Sequence, residues 1–251
     1  MNSLNLLCHH IKWRFQTPIS IIITISQPIL WLLLYSAVAN ETMKNTQIDN
    51  YTAYILPGII VLVIMAACSS GGILNYLMKS SGSFYRLLIA PISRSSIVLS
   101  QMLEAVLCAF LEVVILCLLS LLLGVKFATG LTGLCLIIVL IFLTAFFMSG
   151  IAYAISLLLP NEVAYETMMN ILVLPIFFLS PALFPTENIT GGLKLAIDLN
   201  PFTYVIDALR NLILGNFNSY EFMIPVLLLF SILCMLSFAL AFWRLKKEIV
   251  Q

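Results

Sequence analysis

Three apolar runs, over about 53–77, 97–123 and 131–158, follow one another in this chain and are parted only by a polar island and a short turn. Each is long enough to cross a hydrocarbon core, which takes about 20 helical residues. Composition agrees: 62% of the 251 residues are hydrophobic and 9% charged, with mean hydropathy +1.10. Soluble domains carry roughly 45–50% apolar and about 25% charged residues. The chain therefore reads as a polytopic α-helical membrane protein. Its net charge of +1 is spread over loops and span ends and gives no basic patch for nucleic acid.

The polar island, KSSGSFYRLLIAPISR from Lys79 to Arg94, holds three of the twelve Lys and Arg residues together with Gly82 and Pro91. It is too polar to span and reads as a loop with a short helix in it. Basic residues close to span ends are retained on the cytoplasmic side. This fixes the island inside and, by alternation, places every other segment. We read it as the handle for a cytoplasmic partner.

Residues 3–16 alternate as an amphipathic helix, with Leu4, Leu7, Cys8, Ile11 and Phe15 on one face and Asn5, His9, Lys12 and Gln16 on the other. Trp13 and Arg14 suit an interfacial depth. No cleavage site followed by a polar mature domain marks a signal peptide. A first span is expected over 18–39, interrupted by Thr24, Ser26 and Gln27. In lipid such groups turn toward protein, at a subunit interface or along a transport path. The second span, 53–77, carries Ser69-Ser70-Gly71-Gly72, small residues that permit close helix approach. The third is expected over 97–123 and the fourth over 131–158.

Pro160-Asn161-Glu162 makes the next turn, with Asn161 as N-cap and Glu162 and Glu166 favoured by the helix dipole. A fifth span follows over 163–183, with Thr167 and Asn170 as further polar groups. Between 186 and 220 the chain is too broken to span and should form two short helices at the outer surface. The second, over 202–214, pairs Asp207 with Arg210 at i, i+3. A last span over 222–243 ends in the basic stop Arg244-Leu245-Lys246-Lys247. Lys12, Arg14, Lys79, Arg86, Arg94, Arg244, Lys246 and Lys247 then lie inside, and Lys44, Lys126, Lys194 and Arg210 outside. Six spans with both termini cytoplasmic satisfy this bias.

The six cysteines show no CxxC spacing and read as small buried apolar residues. There is no G-x-x-x-x-G-K-[ST], H-E-x-x-H or G-x-S-x-G string, and no histidine in any expected span. An enzyme is not expected, nor a cofactor bound by this chain. Asn40, Asn50 and Asn188 open N-x-[ST] strings on the expected outside and receive no function. Glu104 and Glu112 in the third span lie eight residues apart, on nearly one face. A mid-membrane carboxylate costs roughly 2.5–3.5 kcal/mol on insertion scales and usually faces a partner or a cavity. Structural pairing, with headgroups or Arg94 in reach of Glu104, is one reading; an ion-coupled transporter or channel is the alternative.

Four motifs in order, LPGIIVLVI, YRLLIAPISR, LVLPIFFLSPALFP and LNPFTYVIDALRNLILG, resemble the membrane subunit of an ABC type-2 exporter, similar to the daunorubicin-resistance kind of permease. The resemblance covers nearly the whole chain as one transmembrane domain, 1–251. It implies six spans, a second permease copy, and two copies of a cytoplasmic ABC ATPase that bind the ATP and Mg. It implies that the inner loop after the second span is a coupling helix, with Gly82, Phe84, Arg86, Leu87, Leu88, Pro91 and Arg94 as its positions. Phe84, Leu87 and Leu88 would bury against the ATPase and Arg86 would donate to a carboxylate or carbonyl. Lys79, Ser80, Ser81 and Ser83 stand where the family often has acidic residues. Asn200, Pro201, Asp207 and Arg210 match the family's outer re-entrant segment. The implied setting is a bacterial plasma membrane. Thr24, Gln27, Ser69, Ser70, Thr167 and Asn170 would line the substrate path or the dimer interface, and these small neutral groups suit an amphipathic or apolar cargo.

Overall fold

A computed structural model describes residues 26, 29–34, 37, 51–89, 92–183, 189–215 and 220–248 of the chain. Every regular element among them is helical: α1 (Tyr51–Ser80), α2 (Ser83–Ile89), α3 (Arg94–Leu122), α4 (Leu131–Leu158), α5 (Glu162–Phe178), α6 (Gly192–Leu199), α7 (Pro201–Leu214) and α8 (Tyr220–Glu248). Residues 26, 29–34 and 37 are helical as well. The expected interfacial helix 3–16, most of the first span, and Thr24 and Gln27 lie outside the described residues.

Among the described residues, four helices, α1, α3, α4 and α8, are long and apolar enough to cross a membrane. The fifth expected span is shorter than its apolar run. α5 has 17 residues and stops at Phe178 rather than at residue 183, for a length of about 25 Å at 1.5 Å per residue. Ser180 precedes Pro181, and a residue before proline is pushed out of the α region. Leu179 N–H closes the last turn on the carbonyl of Pro175 at 2.8 Å. Helix starts follow local chemistry. Ser93 accepts from Ser96 N–H at the head of α3. Asn161 accepts from Ala164 N–H at 2.8 Å at the head of α5, the cap the sequence suggests.

α1 is the axis of the bundle. It packs chiefly on α4 and α3, and also on α5 and α7, and 78% of its most apolar window is buried. α8 leans on the outside of α4, where Cys234 Sγ donates to the carbonyl of Leu143. Glycines set the closest approaches. A Cβ on Gly58 would meet the backbone of Ala182 at 2.6 Å, so the chain leaving α5 lies directly on α1. One large apolar cluster joins α1, α3, α4, α5, α7 and the first turns of α8. A second, smaller one closes the bundle at the α2 end.

Candidate functional site

Gly82 makes the turn from α1 into α2 with φ +73°, a conformation that side-chain-bearing residues rarely adopt. The turn carries Phe84 inward. Its ring is 2% exposed and sits where Met78 of α1, Ile97, Val98 and Met102 of α3, Tyr153 of α4, and Ala241 and Leu245 of α8 converge. This corrects the expectation that Phe84 is held out for a partner; burying an aromatic ring in the chain's own core is what anchors so short a helix. Tyr85 (62% exposed), Arg86 and Ile89 (85%) are the side chains α2 offers outward. The side chains of Leu87 and Leu88, and Pro91, lie outside the described residues. Arg94 is the exposed first residue of α3. Lys79, the penultimate residue of α1, pairs with Glu248 of α8 at 2.6 Å and lies 5.3 Å from the Phe84 ring centroid.

Further along α1, the small residues 69–72 receive α5 and α3 on two sides. Tyr165 of α5 donates its hydroxyl to the carbonyl of Ser69 at 2.6 Å and fills the notch over Gly72. Gly71 faces Ala105 of α3, and its carbonyl accepts from Gln101 Nε2. Ser70 bonds back to Ala67 O within its own helix. Nearer α2, Asn75 donates to Ser156 Oγ and Tyr76 to the carbonyl of Leu159. Sequence reasoning passed over Tyr165, Asn75 and Tyr76. A polar residue within each apolar run was the available signal, since in lipid such a group turns toward protein.

Thr167 and Asn170 both stand exposed on α5, beside Val163, Ile171 and Leu174. Thr167 Oγ1 donates to Val163 O in its own helix. Glu104 and Glu112 are buried in α3, away from the exposed helix start at Arg94. Glu104 Oε1 accepts from Cys108 Sγ at 3.5 Å, and its other oxygen is directed at the Gly71 segment of α1.

The opposite end is closed by α6 and α7. Asn200 accepts from Phe202 N–H and donates to the carbonyls of Ile176 and Leu179, so one side chain caps α7 and satisfies the end of α5. Pro201 takes the first helical position, where its missing N–H costs nothing. Arg210 forks to Asp207 at 2.8 Å, to the carbonyl of Pro181 and to the carbonyl of Tyr54, with the Tyr54 ring 4.0 Å away. Burial raises the Asp207 carboxyl above its ordinary range, and the Arg210 and Lys194 charges oppose that rise. Ala128 N–H reaches the carbonyl of Ile213 and ties the α3–α4 turn to this end.

Long apolar helices around a buried α1, with one short helix at one end and two at the other, define a polytopic membrane protein. The sequence profile of the ABC-2 type transporter family matches residues 4–214, and the chain belongs to that family. It is accordingly a transport permease, the membrane subunit of an ABC transporter, which works with a separate ATP-binding subunit. Three relatives are called transport permease ycf38. That of Cyanophora paradoxa is 29% identical over 77% of this chain and 67% of its own length. That of Pyropia yezoensis is 29% identical over 85% and 74%. The daunorubicin resistance ABC transporter permease protein DrrB1 of Streptomyces coeruleorubidus is 24% identical over 79% of this chain and 70% of its own.

Proposed function

We propose that this chain is the permease of an ATP-driven exporter, with α2 as the helix that receives its ATP-binding subunit. The carrying observation is the outward face of α2: Tyr85, Arg86 and Ile89 stand free on a helix whose base is fixed by Phe84. Charge supports the side. Lys79, Arg86, Arg94, Arg244, Lys246 and Lys247 belong to the helix ends gathered about α2, whereas Lys126, Lys194 and Arg210 belong to the α6–α7 end. The richer end is the cytoplasmic one. Two ATPase copies bind the ATP and Mg, and two permease copies meet across α5 and the first span. The single transmembrane domain has six spans, completed by 18–39 and by α5, with both termini inside a bacterial plasma membrane. Membrane lipid surrounds it, and nucleic acid has no place in its work.

The cargo is amphipathic or apolar, a drug, peptide or lipid-like molecule. The neutral groups Thr167 and Asn170 among the aliphatics of α5 support that reading. Glu104 and Glu112 serve packing between α3 and α1 rather than an ion relay. Ile89→Asp with Tyr85→Asp should leave the permease inserted and abolish co-purification of its ATP-binding subunit. Normal co-purification by that double variant would refute the assignment of α2.

A further inference from the structure

Lys79 and Glu248 are 169 positions apart in sequence, yet their side chains meet at 2.6 Å. We propose that this ion pair is a clasp that positions α2 for the ATP-binding subunit, an inference that rests on the reading of α2 as the docking helix. The two-residue turn at Ser81 and Gly82 is held by local bonds: Ser81 N–H to Leu77 O, Gly82 N–H to Lys79 O, and the Ser81 hydroxyl to Met78 O and Ser83 Oγ. Among the described residues, the other restraint on α2 is its seat. Ala241 and Leu245 of α8 form one wall of the Phe84 pocket, and the next turn of α8 supplies Glu248. The Lys79 ammonium therefore holds the end of α8 with its charge while lying near the Phe84 ring.

Glu248 stands at the C-terminal end of a long helix, where the dipole disfavours an acid and favours its neighbours Lys246 and Lys247. Engagement by a lysine from another helix offsets that mismatch. The pair is only part-buried, 20% and 31% exposed. It can therefore open when a partner pulls on α2, and salt weakens it. An outward or inward shift of α8 thereby reaches the last turn of α1 and, across the Ser81-Gly82 turn, α2.

The test measures amide exchange of residues 83–89 in the purified full-length permease in lipid nanodiscs, alongside capture of the ATP-binding subunit that co-purifies with it. Lys79→Met and Glu248→Gln should each speed exchange several-fold and weaken capture several-fold. Lys79→Arg should resemble the parent, and the swap Lys79→Glu with Glu248→Lys should return both quantities toward it. Potassium chloride at about 1 M, where screening acts within about 3 Å, should speed exchange in the parent and not in Lys79→Met. Unchanged exchange in both single variants, or a swap as fast as either, would overturn the clasp. Faster exchange with undiminished capture would overturn its positioning role. Capture that survives Ile89→Asp would remove the docking reading, and the positioning role with it, while the exchange data would still record the clasp.

Discussion

The phenol of Tyr165 occupies the space a side chain on Gly72 would need: a Cβ built on that glycine falls 2.1 Å from the hydroxyl oxygen. The same hydroxyl donates to Ser69 O, and the Tyr76 ring leans on the Tyr165 ring with centroids 5.8 Å apart. α5 is thus keyed into α1 at one fixed register.

Gly72→Ala should therefore force Tyr165 from a fully buried site. Overpacking of this kind costs about 1–3 kcal/mol, read as a lower apparent Tm in detergent. Tyr165→Phe keeps the ring and loses only the bond to Ser69, a change of about 1 kcal/mol. Equal melting of Gly72→Ala and the parent would show that the notch is not tight.

At the other end, Arg210 joins three acceptors on three segments, and a lysine cannot reproduce that fork. Arg210→Lys should lower stability by about 1–3 kcal/mol through stranded buried acceptors, with Arg210→Ala worse. Asp207→Asn should cost less than either, because the guanidinium keeps the carbonyls of Tyr54 and Pro181. Thermal melts of the three variants decide the order.

α2 offers a direct contrast between neighbours. Phe84→Ala empties a buried aromatic site and should cost about 3–5 kcal/mol. Ile89→Ala, at an exposed position, should stay within about 0.5 kcal/mol while weakening capture of the ATP-binding subunit. Similar melting of the two variants would mean that Phe84 does not anchor the helix.

The exposed polar side chains of α5 predict where two copies meet. Oxidative cross-linking of Asn170→Cys or Thr167→Cys in native membranes should give dimers. Native Cys135, exposed on α4, should not. Dimers formed through Cys135 alone would move the interface to α4.

Run length made the long helices legible. α4 covers the apolar run 131–158, and α1, α3 and α8 differ from their apolar runs by a few residues at their ends, where polar residues such as Lys79 and Lys246 continue a helix past its apolar stretch. Asn161 was readable as a cap because capping is local chemistry, whereas Asn200 and Pro201 entered through the family resemblance and show their capping role in the fold. The end of α5 was misjudged because LSPAL continues the apolar pattern while Pro181 breaks the backbone. The inward turn of Phe84 was not legible. On a seven-residue helix with apolar side chains at 84, 85 and 87–89, periodicity does not select a buried face; convergence of four distant segments does. The bond between Lys79 and Glu248 was hidden for the same reason, since nothing within either neighbourhood names the other.

The contrast between α1 and α8 carries a consequence for how the bilayer acts on the protein. Burial covers 78% of the apolar window of α1 but only 28% of that of α8. Bilayer thickness is therefore felt on α8 far more than on α1, and a thinner hydrocarbon layer is met by tilt of the exposed helix. Because α8 ends in Glu248, such a tilt strains the link to Lys79 first. Hydrolysis by the assembled transporter should then vary with acyl chain length in reconstituted membranes, and Glu248→Gln should flatten that dependence, which makes the last helix a gauge of the membrane as well as a span through it.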